Sequence, residues 1–392
     1  MKRIAFTTAL LAVLSCAPVA EDLSVQMVKS QMHRCPEATY LDFREGQFKW
    51  NYTPGLELRA FLDVYDACGD EAIYDYVHAW YDAAVHEDGT IETYSVDKYS
   101  TDLICAGKSL FYFLDKTGEQ KYRKAIELLK SQIDSQPRTS EGAFWHKKAY
   151  PSQVWLDGVY MAEPFYVEYA TRFLEDGERT EAYRDIMNEF TVAAEHTFDP
   201  VTKLYRHAWD ESRSMFWCDP ATGQSQHCWG RALGWYCMAL LDVLDWLPED
   251  FSDRAVLVDL LQKICAELPR WADPETGMWY QVLDQPGREG NYLEATCSAM
   301  FCYTFLKGVR AGWLDPGLLP YAQSLYDSLV KVFISEDGEG FISLEKCCSV
   351  GGLGGKQNRM GDFAYYLSEP VRANDSKGTA PFIWASLEME KR

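Results

Sequence analysis

The chain of 392 residues carries 38 Lys and Arg against 59 Asp and Glu, a formal charge of −21, and 47% of it is hydrophobic and 14% aromatic. That balance excludes a basic footprint for nucleic acid, opposes docking on anionic lipid, and is too apolar for a disordered chain. An anionic partner would have to be met by a local cluster of cations.

Residues 1–20, MKRIAFTTALLAVLSCAPVA, combine a charged start (Lys2, Arg3), an apolar run from Ile4 to Leu14 and the small residues Ser15, Cys16 and Ala17. This is the pattern of a bacterial export signal. The run is too short to span a bilayer, and no later stretch reaches the roughly 20 apolar residues that a transmembrane segment needs. Leu14-Ser15-Cys16 also offers a lipidation site, so a soluble periplasmic form and an outer-membrane form with a lipid anchor at Cys16 are both open. From 21 to 392 no Pro-Gly-Ser linker interrupts the sequence, and a single domain is expected.

Tyr122, Ala125, Ile126, Leu129 and Ile133 follow the spacing of a helix with one buried face, as do Tyr183, Ile186, Met187, Phe190 and Ala194, and Leu257, Leu260, Leu261, Ile264 and Leu268. Other segments are apolar or small on nearly every face, which predicts helices buried all round. The two kinds alternate: 54–68 then 72–86, 99–116 then 120–135, 155–175 then 180–197, 229–247 then 252–270, and 291–311 then 316–333. Helices near 22–34 and 379–390 bring the number to about twelve. Six helical hairpins in a ring account for the alternation, so the expected fold is all-α, an (α/α)6 toroid. A stacked solenoid would lack the long, aromatic and glycine-rich loops at 136–157, 198–229 and 335–378.

Twelve cysteines show no C-x-x-C pair, and the sequence has no H-E-x-x-H or other metal-ligand spacing. No metal and no cofactor are therefore expected, and a disulfide such as Cys218 with Cys228 is left open.

The long loops hold the unusual residues. Asp102 lies in YSTDLICAGK, Asp157 in HKKAYPSQVWLDGVYMAEPF and Arg231 in CWGRALGWY, each at the start of an expected inner helix, and His207 lies in YRHAWDES, in the loop that leads to the helix of Arg231. In a toroid those helix starts share one mouth, so the four residues converge although far apart in sequence. Each has a structural alternative: Asp102 as an N-cap, His146 and His207 as core histidines, Trp155, Trp209, Trp229 and Trp235 as packing, and Arg231 as a brace to Asp210. Asp157 is framed by Trp155, Leu156 and Gly158. Apolar walls raise a carboxyl pKa, and glycine lets a substrate come close. Glu163 is a reserve acid.

Four segments resemble glycoside hydrolase family 105, the unsaturated rhamnogalacturonyl hydrolases: HKKAYPSQVWLDGVYMAEPF, YRHAWDES, HCWGRALGWYCMALLDVLDWLP and YYLSEPVRANDSKGTAPFIWA. The likeness runs from about Trp50 to Glu388 in matching order. It implies an (α/α)6 barrel without metal that removes a 4,5-unsaturated uronic acid from the non-reducing end of a lyase-generated, pectin-derived oligosaccharide. By motif position it implies Asp157 as general acid/base and Asp102 as a second active-site aspartate. Tyr52, His146, Lys147, Trp155, Met161, His207, Trp229, Arg231 and Trp235 match residues that line the sugar pocket. The stretch SVGGLGG at 349–355 resembles a flexible loop at the cavity mouth.

Such a substrate is an enol ether conjugated to a carboxylate, so the implied chemistry is hydration of the C4–C5 double bond. This requires Asp157 to be protonated near neutral pH; its apolar frame and Asp102 favour that state, and the helix dipole opposes it. Arg231, Lys147 and the histidines would meet the uronate. An unsaturated glucuronyl hydrolase, an inverting glycosidase acting on saturated sugar, an epimerase using paired histidines, and a non-catalytic sugar-binding protein are the alternatives.

Overall fold

The computed structural model describes residues 22–42 and 47–391. The export signal expected in residues 1–20, with Cys16, lies outside these.

Six helices form a closed inner ring: α2 (Tyr52–Cys68), α4 (Lys108–Thr117), α6 (Leu156–Phe173), α8 (Gly230–Trp246), α10 (Ala295–Arg310) and α13 (Ser376–Glu390), with α13 returning against α2. Each inner helix carries an outer partner: α3 (Glu71–Ala84), α5 (Gln120–Ser135), α7 (Asp176–Thr197), α9 (Arg254–Glu267) and α11 (Leu319–Phe333) cover the first five, and α1 (Leu23–Arg34) covers α13. The fold is an (α/α)6 toroid. Ser24 Oγ donates to Glu390 at 2.6 Å, joining the first described helix to the last.

The division between rings follows from the side chains. All but three of the 17 residues of α8 are buried, whereas α5 buries only the stripe that includes Tyr122, Ala125, Ile126, Leu129 and Ile133. Inner helices approach closely where one lacks a side chain. A Cβ on Gly234 of α8 would lie 2.5 Å from the sulfur of Met300 on α10.

Two expectations need correcting. The inner helix expected at 99–116 begins only at Lys108; residues 96–107 form three short 3-10 turns. Tyr99 is left-handed (φ 39°), and the Thr101 amide donates to the His146 carbonyl at 3.1 Å. The chain is thereby drawn toward the 144–150 loop before it can coil. Short ribbons also interrupt the helical pattern: β1 (Gln153–Trp155) pairs with β2 (Ala208–Asp210), β3 (Ile334–Glu336) with β4 (Ile342–Leu344), and β5 (Cys347–Cys348) with β6 (Val371–Arg372), all antiparallel. The eleven described cysteines are free, so Cys218 and Cys228 are not bridged.

The inner helices run parallel, so their starts face one mouth and their ends the other. At the far mouth a cavity of about 980 Å³ is lined by matched charges. Lys108 meets Asp242 at 3.1 Å, Lys307 meets Asp245 at 2.5 Å, and Arg172 meets Glu168 at 2.8 Å.

Candidate active site

At the near mouth the β1–β2 ribbon does the positioning. Trp155 pairs with Ala208, and the Leu156 amide donates to the His207 carbonyl at 3.2 Å, so the first turn of α6 and His207 arrive together. Asp157 then faces His207: Oδ2 lies 3.2 Å from Nε2, with the ring fully buried and the carboxylate side chain 13% exposed. Neither atom has an aligned hydrogen-bond partner.

A second acid stands nearby. Asp102 is not the N-cap that a helix start suggests. Its carboxylate takes the Lys147 ammonium on one oxygen and lies 3.5 Å from His146 Nε2 on the other. His146 is stacked on Trp155 (4.6 Å, 15°), and Tyr150 also stacks on Trp155 (5.0 Å, 8°), so the imidazole is clamped in place. Burial, and then the Lys147 charge, push its pKa down to about 4, which leaves it neutral at ordinary pH. Gly158 has a different reason from the one expected. A Cβ there would lie 3.0 Å from His146 Nδ1, so glycine makes room for the imidazole.

Arg231 opens α8 and is 1% exposed. Its guanidinium lies 4.6 Å from the centre of the Trp229 ring and donates from Nη1 to the Cys348 carbonyl, while Nε has no partner. No carboxylate lies within salt-bridge distance of it among the described residues. Of the internal acids that could make Arg231 a brace, Asp210 is not its partner: that carboxylate accepts the amides of Ser212, Ser214 and Met215 instead.

The balance at Asp157, which the sequence leaves open between its apolar frame and the helix dipole, falls on the ionised side. Burial pushes its carboxyl up, but the neighbouring His207, and after it His146 and Arg231, together outweigh burial and hold the group below the usual carboxylate range. Glu163, the reserve acid, is six residues further along α6 and on another face. It is fully buried, both its oxygens lack partners, and burial together with Glu189 and Asp185 keeps it protonated, away from Asp157.

Of the remaining expected residues, Met161 lies one helical turn after Asp157 and is 2% exposed. Trp235 is stacked on Tyr160 (4.8 Å) and meets Tyr52 edge-on at 6.2 Å. Burial, and then Asp102, push the Tyr52 hydroxyl well up, which keeps it a neutral donor. Trp209 turns away and stacks on His196 at 3.6 Å. The glycine stretch at 349–355 is tied down: Leu353 is fully buried with Trp155, Ala208 and Trp217, and a Cβ on Gly351 would lie 2.4 Å from the Trp229 ring. Gly351 serves close approach to that indole, Gly352 makes room for Arg359, and Gly354 and Gly355 are left-handed (φ 58° and 69°).

Two residues escaped the sequence reading. Tyr150 stacks in the indole column and accepts from Arg359 Nη2 at 3.1 Å; Tyr366 holds the far side of His207 at 2.8 Å. Both sit inside quoted motifs, yet nothing in the spacing singled them out. Among the described residues no group of three or more His, Cys, Asp or Glu could hold a metal ion.

Known proteins share this arrangement of helices. The profile of Glycosyl Hydrolase Family 88 matches residues 23–392. A family 105 glycoside hydrolase structure from C. acetobutylicum is 41% identical, superimposes with a TM-score of 0.90, and covers 95% of this chain and 100% of its own. Protein Atu3128 of Agrobacterium fabrum is 36% identical over 58% of this chain and 97% of its own length. The unsaturated rhamnogalacturonyl hydrolase YesR of Bacillus subtilis is 25% identical over 76% of this chain and 79% of its own. By its full-length profile match and its close structural relative, the chain belongs to the glycosyl hydrolase family 88/105 group and is a glycosidase.

Proposed function

We propose that the enzyme releases a 4,5-unsaturated uronic acid, of the galacturonyl-rhamnose type left when a polysaccharide lyase cleaves pectin-derived rhamnogalacturonan, from the non-reducing end of an oligosaccharide. The observation that carries this reading is the convergence of Asp157 with Arg231: a recessed acid in the field of a buried, aromatic-backed cation that has no carboxylate within salt-bridge distance among the described residues, Asp375 and Glu294 acting on it only from further off. A uronate would supply an anion in direct contact. The similarity to YesR favours the galacturonyl-rhamnose form.

The same charges explain how an acid ionised at rest can deliver a proton. Of the neighbours that hold Asp157 down in the free enzyme, Arg231 is the one that carries a permanent positive charge. A uronate docking on Arg231 cancels that charge and brings a negative one, so Asp157 takes up a proton as the substrate binds. Asp157 then protonates C4 using the π electrons of the double bond, and positive charge at C5 is shared with the ring oxygen. Water adds at C5 and returns its proton to Asp157. The hemiketal opens to a C5 ketone, and the hemiacetal left at C1 expels the neighbouring sugar. One water is consumed in all. The export pattern of residues 1–20 supports, as part of the same proposal, a periplasmic or outer-membrane-attached enzyme.

The test is to offer lyase-generated oligosaccharides and follow the ultraviolet absorbance of the conjugated double bond. Its loss, in step with sugar release and with no action on the saturated analogue, supports the reading; equal turnover of the saturated analogue refutes it.

A further inference from the structure

Tyr366 lies on α12 (Phe363–Ser368), a short helix beside the mouth, and is fully buried. Asp362 caps that helix by accepting the Tyr365 amide at 2.7 Å, the Tyr366 carbonyl accepts from Gln281 Nε2 at 3.2 Å, and the phenol ring stacks on Trp229 at 5.9 Å and 21°. The side chain is thus fixed on two sides. Its hydroxyl lies 2.8 Å from His207 Nδ1, the one hydrogen bond it makes among the described residues. A buried phenol has a single proton, and Nδ1 is the acceptor within its reach. Were the imidazole to donate instead, the phenolic proton would be left without a partner, at a cost of roughly 1–3 kcal/mol.

We propose that Tyr366 is a positioning residue: its phenol donates to Nδ1 and so fixes His207 as the Nε2–H tautomer, with the protonated nitrogen 3.2 Å from Oδ2 of Asp157. The proposal rests on the assignment of Asp157 as the acid and extends it to a residue that touches no substrate. Oδ2 is buried against the imidazole, so the transferable proton is carried by Oδ1. When Oδ1 gives that proton to C4, the N–H at Oδ2 stabilises the carboxylate that forms, and Oδ1 recovers a proton from the water that adds at C5. The charged or titratable groups that act most strongly on Asp157 are His207, His146 and Arg231, and those that act most strongly on Tyr366 are Tyr365, Asp157, Asp284 and Cys228.

The tautomer can be read without substrate. In histidine-labelled wild-type protein, long-range ¹⁵N–¹H correlation, with the His207→Asn spectrum to assign the signal, should place the proton on Nε2. In Tyr366→Phe, kcat should fall about tenfold with KM changed less than about twofold. The alkaline limb of kcat/KM should also move upward, because a carboxylate that loses its N–H donor is a stronger base and keeps its proton to higher pH. A purely structural tyrosine would lower the melting temperature and leave that limb in place. A proton on Nδ1 in the wild-type spectrum overturns the proposal, as does a folded Tyr366→Phe enzyme with unchanged kcat and pH profile. Failure of the wild-type enzyme to hydrate unsaturated uronides counts against the assigned reaction; the spectrum still decides the tautomer.

Discussion

Asp157 and Arg231 are proposed to divide the chemistry: one moves a proton, the other holds the charge that makes the move worthwhile. Asp157→Asn should fold as the wild type does and lose at least about two orders of magnitude in kcat, the usual scale for a lost general acid. Circular dichroism and single-turnover kinetics check both halves; retained turnover would move the proton donor elsewhere. Arg231→Lys keeps the charge but not the planar fork over Trp229. With the substrate carboxylate in a dry site, kcat/KM should fall about 10- to 100-fold, matching a charge-assisted contact of roughly 1.5–3 kcal/mol. A drop in melting temperature with normal kinetics would instead make Arg231 a brace.

At the scale of elements, the wall between α6 and α7 buries acids that the mouth does not use. Glu189 is pushed up to about 8 by burial, and Glu163 beside it is raised well above its usual range. Acids raised by folding stabilise the protein fully below their unfolded pKa, and that stability is lost as pH rises through the folded value. The melting temperature should therefore decline between about pH 4.5 and pH 8, and Glu163→Gln should flatten the decline while leaving activity intact. A second element-scale expectation concerns the roof. Gly351→Ala would drive a methyl group into the Trp229 ring, displace the 349–355 stretch and lower kcat/KM. Unchanged kinetics would show that the roof does not shape the pocket. Helical segments were legible in the sequence because burial follows their faces: the stripe on α5 and the all-round apolar character of α8 correspond to one-sided and complete burial. The 96–107 turns were not legible, because what stops the helix is a contact to the 144–150 loop, distant in sequence.

For the whole molecule, ring closure converts a chain-order pattern into a site. Asp102, Asp157, His207 and Arg231 were readable as a group because each sits at the start of an expected inner helix or in the loop that leads to one, and the toroid places those starts at one mouth. Their partners were not readable. The ionic hold of Lys147 on Asp102, the lack of a carboxylate in contact with Arg231 and the net downward pull on Asp157 all depend on which groups meet in space. Tyr366 was invisible for the same reason, since it reaches His207 across 159 residues of chain. The measurement that tests the central claim most directly is turnover of an unsaturated uronide in heavy water, with the product read by NMR as it forms. Hydration by a protein acid predicts one deuterium at C4 in a single configuration and new oxygen at C5. Release of the sugar with the C4–C5 double bond intact and new oxygen at the anomeric carbon would contradict it.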